Sequence, residues 1–164
     1  MIALTLAILA ALGAGCGSNA GLPEQGPEQP IAFSHAQHAD DLRIDCRHCH
    51  TRVAKAAEAN YPSVAKCEGC HAGVKKERTT PEMAKVTQHW EERRPIAWTK
   101  VTDLPDHVRF DHGAHVRKLV SCGTCHGQVQ QMRRVRQVQR FTMRFCVQCH
   151  RQEDARIDCT ACHK

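Results

Sequence analysis

Five times in this 164-residue chain a pair of cysteines separated by two residues is followed at once by a histidine. In chain order the motifs are CRHCH at 46–50, CEGCH at 67–71, CGTCH at 122–126, CVQCH at 146–150 and CTACH at 159–163, called here the first to fifth motifs. Two thiols at this spacing reach the two vinyl groups of one haem, and the adjacent imidazole turns beneath the ring to ligate its iron. The chemistry implied is covalent attachment of five c-type haems. Thioether bonds would come from Cys46 and Cys49, Cys67 and Cys70, Cys122 and Cys125, Cys146 and Cys149, and Cys159 and Cys162. The proximal iron ligands would be His50, His71, His126, His150 and His163. Paired cysteines also build zinc ribbons and, in exported chains, disulfides. Neither requires a histidine after the second cysteine every time.

One imidazole leaves the sixth position of a haem iron open, and a second imidazole saturates it. FSHAQH at 33–38 precedes the first motif and FDHGAH at 110–115 precedes the third, so that Phe33, His35 and His38 correspond to Phe110, His112 and His115. Histidines three residues apart lie on neighbouring turns of a helix and can serve two different irons. His35, His38, His112 and His115 are therefore the distal candidates, and His48, inside the first motif, is read as a bystander. Five irons need one more ligand, for which the candidates are Met143, Met132, His107 and His89. A methionine there would raise the potential of that haem relative to one with two imidazoles.

The elements that must hold these residues are unusual. Beyond Cys16 only 24 of 148 residues are Leu, Ile, Val or Phe, too few for a conventional core. No strand alternation is sustained. The fold expected is mainly irregular with short α-helices, at 51–60, at 81–93 and around each motif, with 127–140 as helix or extended ribbon. Covalently bound haem replaces apolar side chains as the packing material. The two FxHxxH stretches are 77 residues apart and the motifs after them 76 and 79 apart, a duplication with a fifth site appended. This gives a first dihaem module at 31–80, a connecting segment at 81–105 and a second module with three haems at 106–164. Trp90 and Trp98 are expected to pack on haem or seal the connecting segment.

Residues 1–15, MIALTLAILAALGAG, form an apolar run short of the about 20 residues that a membrane span needs and suited to an export signal. Export is what haem attachment outside the cytoplasm requires. LGAGC, ending at Cys16, is similar to a bacterial lipoprotein signal, with Gly13 where leucine is usual. Lipidation of Cys16 would tether the chain to a membrane surface; ordinary cleavage would leave a spare thiol. Residues 16–30, rich in Gly, Pro and Gln, read as a flexible linker.

FxHxxH followed by CxxCH resembles the class III cytochromes c, small multihaem electron carriers with little regular structure. That resemblance implies His35 opposite His50, His38 opposite His71, His112 opposite His126, and His115 opposite His150 or His163. A broader resemblance, over about Phe33 to His163, is to the pentahaem subunits of alternative complex III and related quinol-oxidising complexes. It rests on PIAWTKVTDLPDHVRFDHGAHVRKLVSCGTCHGQVQQM, FTMRFCVQCHR and the last DCTACH. It implies partner subunits that include an iron–sulfur protein, and a soluble cytochrome c or terminal oxidase as acceptor. The place implied is the periplasmic face of a cytoplasmic membrane, held by a lipid anchor or by the complex, or the outer membrane for a sorted lipoprotein. Such subunits usually carry a transmembrane anchor, where this chain has the signal-like run.

The formal charge of +6 does not point to nucleic acid. A ferric haem with two propionates contributes −1, so five lower the sum to +1, and no recognition motif or aromatic platform is present. Arg133, Arg134, Arg136, Arg140 and Arg144 are expected to neutralise propionates or face an acidic partner. Three functions stay open: an electron-transfer subunit of a respiratory complex, a stand-alone lipid-anchored carrier or extracellular conduit, and a reductase with one open haem. The ligand count favours electron transfer over catalysis.

Overall fold

The structure is a computed structural model that describes residues 21–74 and 80–164. The signal-like run, Cys16 and the start of the linker lie outside the described residues. The described chain is irregular with seven short α-helices: α1 Cys46–Cys49, α2 Val64–His71, α3 Pro81–Glu91, α4 His112–Arg117, α5 Cys122–His126, α6 Met143–Gln152 and α7 Cys159–Cys162. A π-helical turn covers Ala36–Asp41 and a 3-10 turn covers Val129–Gln131. Among the described residues there is no β-strand, and one isolated bridge joins Val108 to His163.

Every motif sits in a helix, and the reason is written just ahead of it. Asp45, Ser121 and Asp158 stand immediately before a first cysteine as N-caps, while Ser63 and Thr142 cap the longer α2 and α6. Asp45 accepts from the Arg47 amide and Thr142 from the Phe145 amide, which satisfies donors that a helix start otherwise leaves bare. The longest described helix, α3, starts with Thr80 accepting from the Met83 amide and with Pro81 in the first turn, where proline costs nothing.

The apolar core is as small as the composition implies. Ile31, Val64, Met83, Val86 and Ile96 form one buried cluster, with Cys67 and Trp98 against it. None of the described side chains is buried to below 2% exposure. The segment 81–105 contributes three of these five residues, through α3 packed on α2 and through Ile96. Trp98 meets Phe33 edge-on at 6.4 Å, while Trp90 is half exposed.

The helix expected at 51–60 is absent; the stretch is a run of turns and bends. Its carbonyls are engaged elsewhere. Ala54 O accepts from Arg117 Nη1, Ala56 O from the Gly113 amide, and Ala57 O from both the His112 amide and its ring. Asn60 then turns left-handed at φ 61°, so the alanine content loses to tertiary hydrogen bonds. The stretch 127–140 is a 3-10 turn followed by irregular extended chain.

The described part of the expected linker, 21–30, lies along that extended chain. Gln29 exchanges hydrogen bonds with Thr99 O and N at 3.0 and 2.9 Å, and Glu28 lies 3.8 Å from Arg134. Gly26 is buried so tightly that a Cβ there would stand 1.7 Å from Val135 O. Gly26→Ala should therefore force this strap off Val135 and Arg136 and destabilise the protein by about 1–3 kcal/mol. Thermal unfolding of the variant checks it, and an unchanged midpoint would contradict the close approach.

Candidate haem sites

The duplicated motifs fold alike. Phe33 meets His35 edge-on at 4.9 Å and 89°, and Phe110 meets His112 at 4.8 Å and 88°. Phe33 lies over His38 at 4.3 Å and 31°, and Phe110 over His115 at 4.6 Å and 30°. The phenylalanine thus wedges between the two imidazoles of its turn and sends them in different directions. Both turns end on a left-handed residue, Arg43 (φ 55°) and Leu119 (φ 61°), which redirects the chain into the next motif.

The imidazoles meet in pairs. His38 faces His71 with ring centres 6.1 Å apart, His112 faces His126 at 6.2 Å and 10°, and His115 faces His150 at 6.0 Å. His107 stacks on His163 at 5.6 Å and 18°. A metal–imidazole bond of about 2.0 Å, with about 1.1 Å more to the ring centre, puts two axial imidazoles on one metal about 6.2 Å apart. Three pairs match this spacing within a few tenths of an ångström, and the fourth is slightly closer. His35 neighbours His50: burial first, then His50 and His38, lower its pKa to about 4. Burial, then His112 and His50, lower that of His126. Both shifts favour the neutral ring, the form in which an imidazole binds metal.

The backbone chooses the tautomer. Nδ1 of His38 lies 2.9 Å from Ser34 O, that of His50 2.7 Å from Asn60 O, and that of His112 2.7 Å from Ala57 O. His115 Nδ1 is 2.8 Å from Asp111 O and His150 Nδ1 2.6 Å from Arg156 O. A carbonyl only accepts, so each of these Nδ1 atoms carries the proton and each Nε2 keeps its lone pair for a metal. The residues fit haem on donor chemistry as well as on spacing. The ten described cysteines are all free of disulfides, and burial first of all raises the thiol pKa of Cys46, Cys49, Cys67, Cys125 and Cys146. A redox-active thiol pair needs the opposite shift. Among the described residues no three or more His, Cys, Asp or Glu side chains gather as a metal cage of the zinc kind.

His107 comes to His163 because Arg109 N donates to Cys162 O at 2.7 Å and Lys164 N to His107 O at 3.2 Å. The other candidates stand differently. Met143 opens α6 at 71% exposure, Met132 is half-buried with its carbonyl accepting from the Ala36 amide, and His89 lies on α3 with Nδ1 buried. His48 is exposed at a groove it lines with Ser63, Lys66 and Cys70.

Residues 18–96 match the model of the class III cytochrome c family, and residues 108–164 match that of cytochrome c7 and related cytochromes c. The chain is a multihaem cytochrome c of the class III and c7 type. A curated relative of this cytochrome is the multihaem cytochrome c subunit of menaquinone reductase from Nitratidesulfovibrio vulgaris, 36% identical over 100 residues. That alignment takes in 60% of this cytochrome and 46% of the relative, so the cytochrome spans about half the length of the curated protein it matches. Covalent c-type haem and electron transfer are the common properties of these families. Among the described residues of the cytochrome no helix is long and apolar enough to cross a membrane.

Proposed function

We propose that the cytochrome carries five haems, each attached through one CxxCH motif and each ligated by two imidazoles, and that it transfers electrons as a subunit of a membrane quinol-linked respiratory complex. The modules are those at 31–80 and 106–164, joined by 81–105. The observation that carries the reading is the set of facing rings: His38 with His71, His112 with His126, His115 with His150 and His107 with His163, completed by the neighbours His35 and His50. His107 is then the fifth distal ligand, in place of Met143, Met132 or His89.

Bound in this way, haem iron supplies reversible one-electron chemistry without an open position for a substrate. The chain supplies the rest. Carbonyl-tied rings hold their orientation through a change of charge, and the two imidazoles of each pair close both faces of the site to exogenous ligands. The subunit role in a quinone-linked complex is supported by the printed name of the menaquinone reductase relative; an iron–sulfur partner, a quinol as electron source and the alternative complex III type are the finer form of the proposal. Such a subunit faces the periplasm.

The test is the visible spectrum of the fully reduced holoprotein before and after carbon monoxide. An unchanged Soret band is the expected result. A shift worth one haem would overturn complete ligation and return a catalytic site to consideration.

A further inference from the structure

The two copies of the repeat touch through equivalent atoms. The amide of Ala36, which follows the first histidine of FSHAQH, donates to Met132 O at 3.0 Å; the amide of Gly113, which follows the first histidine of FDHGAH, donates to Ala56 O at 3.0 Å. Met132 and Ala56 are each the sixth residue after a proximal histidine, His126 and His50. The contact is thus reciprocal, with one surface of the first copy meeting the matching surface of the second, as in an interface with twofold symmetry.

Residues on the dyad of such an interface meet their own counterparts. Cys46 and Cys122 are equivalent positions of the first and third motifs, and after burial the Cys122 thiol is the next largest influence on that of Cys46. His50 and His126 are equivalent too, and the charge of His50 is felt at His126. Cys67 of the second motif instead has Cys49 of the first motif and Cys70 of its own as cysteine neighbours.

We propose, resting on the five-site reading above, that the modules form an internal twofold pair whose junction is the first and third motifs. The attachment sites then follow one another in an order different from that of the chain. The His35/His38 turn keeps the second motif beside the first, the His112/His115 turn keeps the fourth beside the third, and Cys146 has Cys162 of the fifth motif as a neighbour. The order is second, first, third, fourth, fifth. The second and fifth sites are the two ends, where external donor and acceptor dock.

Two-dimensional exchange NMR of the partly reduced holoprotein tests this, because it reads how strongly reduction at one haem disfavours reduction at another. Electrostatic interaction falls with distance, so the first–third pair should interact about twofold more strongly than any other pair that spans the modules. A stronger interaction for another such pair, with all five haems present, overturns the junction and leaves the five-haem reading intact. Absence of the first or third set of haem resonances overturns both. Gly113→Val gives a second reading, since a Cβ there would already stand 3.3 Å from Ala54 O across the seam. The first–third interaction should weaken while first–second and third–fourth hold, and an unchanged value would place the junction elsewhere.

Discussion

His107→Ala should yield a holoprotein in which one haem of five binds carbon monoxide. Loss of one axial imidazole opens a sixth position, so the reduced protein should show a Soret change of about one fifth of what five open haems would give, with a high-spin signal of the same share in the ferric state. The other four sites keep their spectra, because His107 reaches only the end of the chain. The contact rests on main-chain hydrogen bonds, Arg109 N to Cys162 O and Lys164 N to His107 O, which the substitution does not remove. Met143→Leu and Met132→Leu should leave the spectrum unchanged. If Met143→Leu opens the site and His107→Ala does not, the fifth iron has a thioether ligand and the assignment fails.

The largest effect belongs to haem removal. A chain made without haem attachment should be unfolded, retaining about one third or less of the far-ultraviolet helical signal. Its longest described helix, Pro81–Glu91, has 11 residues, below the about 12–15 at which an isolated helix becomes marginal. Its buried cluster consists of Ile31, Val64, Met83, Val86 and Ile96, and among the described residues nothing of similar kind is gathered around the third, fourth and fifth motifs. Circular dichroism and limited proteolysis of the haem-free chain decide the matter. A cooperative melt of that chain would show a protein core that the side chains do not reveal.

These two results bear on different degrees of legibility. The proposed attachment sites are read straight from the sequence, because covalent chemistry demands an invariant local spacing that no fold can alter. The ring contacts of His38, His112 and His115 follow the order implied by FxHxxH, since one helical turn and one phenylalanine set the directions of both imidazoles. His107 has no such signature. Its partner is decided by a main-chain contact between residues 107–109 and the last three residues, and it stood in the sequence as one of four candidates. The turn structure of 51–60 was hidden for a related reason: Ala54, Ala56 and Ala57 read as helix formers, but their carbonyls belong to the second copy of the repeat. The matched offsets announced a duplication, whereas the way its halves meet depends on backbone hydrogen bonds with no sequence pattern.

The reciprocal contact of Ala36 with Met132 and Gly113 with Ala56 also bears on direction. Sites related by a dyad have like surroundings, so the seam itself imposes little bias on which way charge flows. One departure from symmetry is visible there. His112 Nδ1 is tied to Ala57 O, while His35 Nδ1 is buried without a hydrogen-bond partner. A tied imidazole is the more basic ligand, but the first site has its own tie, from His50 Nδ1 to Asn60 O, so each site of the pair carries one and the seam stays balanced. Rectification, as opposed to conduction, is then the work of the unequal ends: two sites on one side of the dyad and three on the other.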